Sequence, residues 1–95
     1  ELAIKPGVDT YQIPGGSSST YAISSVSGIT ASDKGRYVTL EGTGTDNKSA
    51  TIADSTTFVL EDGATWTAKA GSRITFIVFD SQTLVEVSGS RVQTA

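Results

Sequence analysis

The sequence predicts an all-β fold, and two observations predict it. In composition, Val (8) and Ile (7) outnumber Leu (4), and β-branched residues suit pleated sheets. Ser and Thr supply 27 of the 95 residues and Gly a further 10, which suits a chain that turns often. In spacing, short strand candidates recur about every ten residues, and no segment shows the helical period. This pattern is typical of a sandwich, a jelly roll or a small barrel, and of these we predict a small antiparallel β-sandwich of jelly-roll-like form.

Seven strand candidates follow one another from residue 20 onward. Each is a short run rich in β-branched or aromatic residues and bounded by Gly, Asp or Ser. An Asp-Gly pair, Asp62 and Gly63, predicts a hairpin between the fourth and fifth candidates, because Gly accepts a positive φ. The candidates are residues 20–26, 36–41, 49–53, 57–60, 64–67, 73–79 and 84–88.

Residues 1–19 have a different residue pattern from the rest of the chain, and we predict that they form an extended connector from a larger upstream body. Two Pro-Gly pairs, at Pro6 and Pro14, disfavour a helix or a central strand there. The chain starts at Glu1 and contains no Met, so we expect it to be a piece of a longer product. Residues 20–95 are then the folded sandwich domain.

The composition also excludes several classes of function. The chain has no His and no Cys, so triad hydrolases, thiol nucleophiles and the common zinc sites are excluded. Seven basic residues against ten acidic ones, with no basic run, argue against a nucleic-acid partner. No apolar run approaches the roughly 20 residues that cross a bilayer. We therefore expect no enzyme activity, no cofactor, no metal and no membrane insertion.

The small size of the chain favours self-association. A domain of this length buries only about two-thirds of its unfolded surface, and without Cys it has no disulfide to compensate. In residues 73–79, alternation gives one apolar face, and the opposite face ends in Ile77 and Phe79. A strand that is apolar on both faces is usually covered on both, and the second cover here could be a loop, the N-terminal connector or a neighbouring subunit.

The last strand candidate also has an apolar side chain on the face that does not contribute to the core. Val85 and Val87 are expected to supply its core face, which leaves Leu84 pointing outward. We predict that a subunit interface uses the apolar side chains that the protomer core leaves over. Its predicted residues are Ile77, Phe79, Leu84 and Trp66.

The C-terminal two-thirds, roughly residues 28–91, resembles the small β-sandwich modules at the C-terminal end of bacteriophage tailspikes and tail fibres. The matching motifs are a Gly-led strand ending in Leu, a Phe-x-Leu strand, a Gly-x-x-Ile-Thr-Phe strand and a closing strand that ends in Glu-Val. Leu84 stands where those modules usually have Trp, and Gly89 and Ser90 separate Glu86 from Arg91. The motifs lie at residues 35–40, 50–54, 58–60, 71–76 and 84–87.

This resemblance implies a parallel homotrimer that caps or staples a fibre, so that residues 20–95 would be a trimerisation or tip domain. It also implies a location on the phage tail, outside the cell, and a role in attachment to the host surface. Any glycan-degrading activity would lie in an upstream domain. The alternative function is a carbohydrate-binding module that recognises bacterial surface polysaccharide.

Aromatic residues are the natural candidates for sugar binding, because a sugar packs on an exposed ring face. Trp66, Tyr37 and Tyr11 are the predicted sugar-binding residues, and Tyr21 is a further aromatic of the same kind. For Trp66, a core or interface anchor with a satisfied indole N–H is the alternative interpretation.

Carboxylates could form an acid/base pair of the glycosidase type, as Glu61 with Asp62 or as Asp80 with Glu86. At turn positions Asp more commonly caps backbone N–H groups, and this structural interpretation is favoured for Asp62 and Asp80. We therefore predict no catalytic residues. Arg91 is expected to pair with Glu86, either across a subunit boundary or on a solvated rim.

A loop rich in Gly and Thr carries oxygen ligands of the kind that calcium prefers. They are Asp46, Asn47 and the nearby Asp54. A calcium site needs six to eight oxygens, and this chain lacks the spaced acidic loop of an EF-hand. The sequence therefore predicts no metal site here.

Overall fold

The computed structural model describes residues 1–16, 19–45 and 48–93, and within them the chain is all-β, which confirms the predicted class. This part contains strands and two short 3₁₀ turns, and no α-helix. The strands are β1 (Leu2–Ala3), β2 (Thr10–Ile13), β3 (Tyr21–Ala22), β4 (Val26–Ser27), β5 (Tyr37–Gly42), β6 (Ala50–Ile52), β7 (Phe58–Val59), β8 (Trp66–Thr67), β9 (Arg73–Asp80) and β10 (Thr83–Glu86). The 3₁₀ turns are Ala31–Asp33 and Glu61–Gly63.

The strands form a five-stranded sheet in the order β2-β5-β9-β10-β7, a three-stranded sheet in the order β3-β6-β8, and a β1-β4 pair. Pairing is antiparallel for β5 with β9, β9 with β10 and β6 with β8. It is parallel for β1 with β4, β2 with β5, β3 with β6 and β7 with β10. The prediction of wholly antiparallel sheets is therefore wrong. The parallel partners are far apart in the chain and arrive by crossovers, and no tight hairpin joins them.

One hydrophobic core joins the two larger sheets. From the five-stranded sheet, Val38 and Phe76 face each other across β5 and β9 and are fully buried. From the three-stranded sheet, Ile52 and Trp66 face each other across β6 and β8 and are fully buried as well. All four belong to a single cluster of buried side chains, so the two sheets share their interior. This common core fixes which face of each strand remains outside.

Residues 1–16 belong to the packed body. Leu2, Ile4 and Ile13 are core residues, and β2 pairs with β5 along its whole length. The Pro-Gly signals act as predicted in one respect, because β2 is an edge strand and not a central one. The sequence leaves open whether this extended segment packs on the sandwich, and residues 1–16 do pack on it. The larger upstream body stays a prediction.

Arg36 ties the N-terminal segment to the rest of the fold. Its Nε lies 2.9 Å from Asp9 Oδ1, and its Nη2 donates to the carbonyl oxygens of Lys5, at 2.9 Å, and Val8. Asp33 lies on its other side, with 3.7 Å from Oδ1 to Nη1. The hydrogen bond to Asp9 raises the pKa of the Arg36 guanidinium above its ordinary value. The guanidinium, which is charged at any ordinary pH, holds the segment through charge-assisted hydrogen bonds.

The Asp-Gly pair makes a turn but not the predicted hairpin. Asp62 and Gly63 both have positive φ, at 57° and 67°, as the sequence signal requires. The strand before this turn, β7, pairs with β10 in the five-stranded sheet. The strand after it, β8, pairs with β6 in the three-stranded sheet. The turn therefore carries the chain from one sheet to the other.

Candidate functional site

The outer face of the five-stranded sheet carries a row of apolar side chains that crosses four neighbouring strands. Tyr37 on β5 lies opposite Ile77 on β9, Ile77 lies opposite Val85 on β10, and Val85 lies opposite Val59 on β7. Phe79 follows two residues after Ile77 and is on the same face. We call these five residues the outer apolar patch.

The outer apolar patch is uncovered. Phe79 is 56% exposed, Tyr37 57% and Val59 39%, while Ile77 and Val85 are half-buried. The sequence prediction that Ile77 and Phe79 lie on the face opposite the core is thus confirmed. The Lys34 ammonium lies 5.7 Å from the centroid of the Phe79 ring and gives the patch a cationic rim.

The other half of the same face is polar. Thr39 and Thr75 share a hydrogen bond of 3.0 Å between their hydroxyls, on β5 and β9. Further along these strands, Arg73 Nε lies 3.7 Å from Glu41 Oε2, and Gln12 donates to Glu41. The outer apolar patch therefore lies at one end of the face, and at the other end Val87 and the exposed Val92 are the apolar side chains among these polar groups.

Leu84 is not part of this surface, so its prediction as an interface residue is wrong. The side chain is fully buried, since Leu84 lies opposite Val78 on β9 and Phe58 on β7, both of which point into the core. A β-bulge at the start of β10 sets this register. Val85, which the sequence predicts for the core, takes the outward position instead.

Trp66 is also a core residue and not an interface or sugar-binding residue. Its side chain is fully buried between the sheets, and its indole Nε1 donates to the Val92 carbonyl at 3.5 Å. A ring with no exposed face cannot stack on a sugar or on another subunit. The core interpretation of this residue is confirmed.

The remaining predicted sugar-binding residues do not form one site. Tyr37 is on the outer face, whereas Tyr11 lies opposite Leu40 on the inner side of β2. Tyr11 instead shares a groove of about 510 Å³ with Tyr21. Both hydroxyls are fixed there, since Tyr11 donates to the Val8 carbonyl at 2.7 Å and Tyr21 donates to the Pro14 carbonyl at 2.6 Å.

Glu86 and Arg91 pair inside the protomer and not across a boundary or on a solvated rim. The Glu86 side chain is 1% exposed, and Arg91 approaches both of its oxygens, with Nη2–Oε1 at 2.8 Å and Nε–Oε2 at 3.1 Å. The backbone N–H of Glu61 donates to Oε1 at 2.9 Å. Arg91 also donates to the carbonyls of Ala64 and Thr65. This carboxylate is therefore fully engaged in holding the fold.

Three other carboxylates have structural partners as well. Asp80 accepts the backbone N–H of Gln82 at 2.8 Å, which is the turn role that the sequence predicts. Glu61 accepts the Ser88 hydroxyl at 3.1 Å, and Asp54 accepts the backbone N–H of Leu60 at 2.8 Å. Asp46 and Asn47 lie outside the described residues. Within residues 1–16, 19–45 and 48–93, no three acidic side chains form a group that could hold a metal ion.

These features define an all-β protein of mixed sheets with an apolar patch on the outer face of its larger sheet. No helix in the described part of the chain is long and apolar enough to cross a bilayer. Comparison with family models, with curated proteins and with solved structures finds no match to this chain.

Proposed function

We propose that this chain is a trimerising module that stabilises a phage tailspike or tail fibre. In this proposal the protomer is a jelly-roll-like sandwich, and three copies associate in parallel on the virion, outside the cell. The module assists attachment to the host surface and catalyses no reaction itself. The outer apolar patch is the observation that carries the proposal of self-association. The resemblance of residues 28–91 to tailspike modules is the reason for proposing three copies.

The patch favours association because its side chains come together at one place. Monomers usually scatter exposed apolar residues singly, and a contiguous patch with a polar border is typical of an interface. Here Tyr37 and Phe79 are both more than half exposed and flank Ile77 on the same half of one face. Covering such a surface yields about 25 cal/mol for each Å² of apolar area removed from water.

Association would also compensate for the low stability expected of so small a protomer. A chain of 95 residues has a small core and no disulfide, so its folded state alone is marginal. A partner that binds only the folded state stabilises it by mass action. Three copies that cover one another's patches would thereby gain stability in the way that a fibre tip requires.

Light scattering on the purified chain tests the proposed stoichiometry. A trimer has a mass of about 30 kDa, three times the 9.8 kDa of one chain. A monomer at micromolar concentration would overturn self-association, and a dimer of about 20 kDa would overturn the trimer.

Substitution in the outer apolar patch tests the interface itself. We expect Ile77→Asp or Phe79→Asp to weaken association by at least about 100-fold, because each would bury a carboxylate without a partner. Both positions face outward, so the protomer should keep its native circular dichroism spectrum. Sedimentation velocity over a range of concentrations measures the change.

Val92→Asp is the matched control, because Val92 is 52% exposed and lies opposite Arg73, at the polar end of the same face and outside the patch. It should leave the assembly intact. An assembly that survives Asp at positions 77 and 79, or that Val92→Asp disrupts equally, would contradict the assignment of the interface.

A further inference from the structure

The outer edge of β2 has backbone groups without partners. β2 ends the five-stranded sheet and pairs only with β5, as the bonds from Thr39 N–H to the Asp9 carbonyl (2.7 Å) and from Thr43 N–H to the Ile13 carbonyl (3.0 Å) show. Successive residues of a strand direct their N–H and C=O groups to opposite sides. The groups of Thr10 and Gln12 therefore point away from β5, and no described residue pairs with them.

A groove runs along this edge. It has a volume of about 510 Å³, and its lining includes the core residues Leu2, Ile13 and Ile23. Tyr11 and Tyr21 line it as well, and their hydroxyl bonds to backbone carbonyls hold the two rings in place. The groove therefore combines an apolar floor with a strand edge that can still form hydrogen bonds.

A second strand edge borders the same groove. In β1 and just after it, the N–H groups of Leu2 and Ile4 donate to the carbonyls of Ser25, just before β4, and Ser27, at 2.9 Å each. By the same alternation, the backbone groups of Ala3 point away from β4, and Ala3 lines the groove. Free backbone groups thus border the groove on β1 as well as on β2.

The β2 edge also lacks the usual protection against another strand. Native edge strands commonly carry Lys, Pro or an inward-pointing charge, which discourages pairing. The sequence of β2 is Thr-Tyr-Gln-Ile, with no charge and no Pro, so the protecting residue types, Lys5 and Pro14, lie beside the strand in the lining of the groove and not on the edge itself. The other end of the same sheet, β7, has only two residues and offers little edge to a partner.

We propose that this groove binds an extended peptide segment of a partner protein, which adds as a strand beside β2. The segment has an apolar side chain at every second position, because alternate side chains of an added strand would point to the apolar floor. The length of β2 suits about four residues, or roughly 13 Å. The free groups of Thr10 and Gln12 repeat with the two-residue period of a strand, which favours a peptide over a sugar. The site does not use the outer apolar patch.

The test uses a defined peptide, because the natural segment is not identified. The probe is a fluorescein-labelled, end-blocked peptide of about eight residues in which valine and threonine alternate. Fluorescence anisotropy measures its binding to the intact chain. We expect Gln12→Pro to weaken binding roughly tenfold, because Pro removes the outward N–H and Gln12 gives no N–H to β5.

Gln12→Ala is the matched control, because it keeps the N–H and removes the side chain, and it should bind within about twofold of the native chain. A probe with N-methyl groups on alternate valines tests the same bond from the peptide side and requires no change in the protein. This probe should also bind roughly tenfold more weakly.

Three results would overturn the proposal: no binding of the probe up to about 1 mM, equal binding of the N-methylated probe, or equal binding by the Pro and Ala variants. Binding of an oligosaccharide in competition with the probe would assign the groove to a sugar instead. A change of oligomeric mass in Gln12→Pro without any binding of the probe would assign the edge to a second copy of the chain. Failure here leaves the trimer test untouched, because that test depends on positions 77 and 79.

Discussion

Replacing Arg91 with Ala is expected to lower the free energy of unfolding by about 3–5 kcal/mol. The substitution leaves the Glu86 carboxylate, whose side chain is 1% exposed, without the cation that contacts both of its oxygens. A buried charge that loses its partner is among the most costly changes in a folded protein. Two carbonyl groups, of Ala64 and Thr65, lose a donor at the same time.

Urea unfolding at neutral pH measures the effect, and Arg73→Ala is the matched control. Arg73 also pairs with a glutamate, but its side chain is 58% exposed and the distance to Glu41 is 3.7 Å. Such an exposed pair contributes at most about 1 kcal/mol. Adding Glu86→Gln to Arg91→Ala should recover part of the loss, since a neutral amide is easier to bury than a carboxylate. Equal costs for the two arginine substitutions would contradict the role of the buried pair.

The sequence predicts well those features that depend on local alternation. In β9, Ile74, Phe76 and Val78 recur with period two and are all buried, and Ile77 and Phe79 are on the other face as predicted. The Asp-Gly turn is also local, and its positive φ values are found where the sequence signal lies. In both cases neighbouring residues alone determine the outcome.

The sequence does not predict features that depend on a distant partner. Alternation along β10 predicts Val85 and Val87 for the core face, which leaves Leu84 on the outward face together with Glu86. Arg91 neutralises that carboxylate, and this pairing allows Leu84 and Glu86 to face the core together. The spacing of Glu86 and Arg91 shows that they could pair, but not that they pair inside the fold.

The same limit applies to the candidate site. Tyr37 and Val59 join the outer apolar patch only through the register of four strands, two of which pair in parallel across a crossover. Nothing in the local sequence around Gly63 indicates that β7 and β8 belong to different sheets. The patch and the groove therefore become visible only once the order of the strands is known.

Replacing Trp66 with Ala is the second change with a large expected effect, a loss of about 3–5 kcal/mol. The side chain is fully buried opposite Ile52, in the core that joins the two larger sheets. Removing it loses the apolar contact area and leaves a cavity that sheets on both sides restrain from collapsing. Trp66→Phe keeps an aromatic ring in the same place and should cost clearly less.

Association complicates this measurement, because a trimer would add its own stability to that of the protomer. Trp66→Ala is therefore best made in the Ile77→Asp background, where unfolding should report on the protomer alone. Because Trp66 is the only Trp in the chain, its fluorescence reports directly on its burial. We expect weak quenching by iodide in the native chain and in Ile77→Asp alike. Strong quenching in Ile77→Asp only would show that a partner subunit covers Trp66. Trp66 would then be an interface residue, contrary to its assignment to the protomer core.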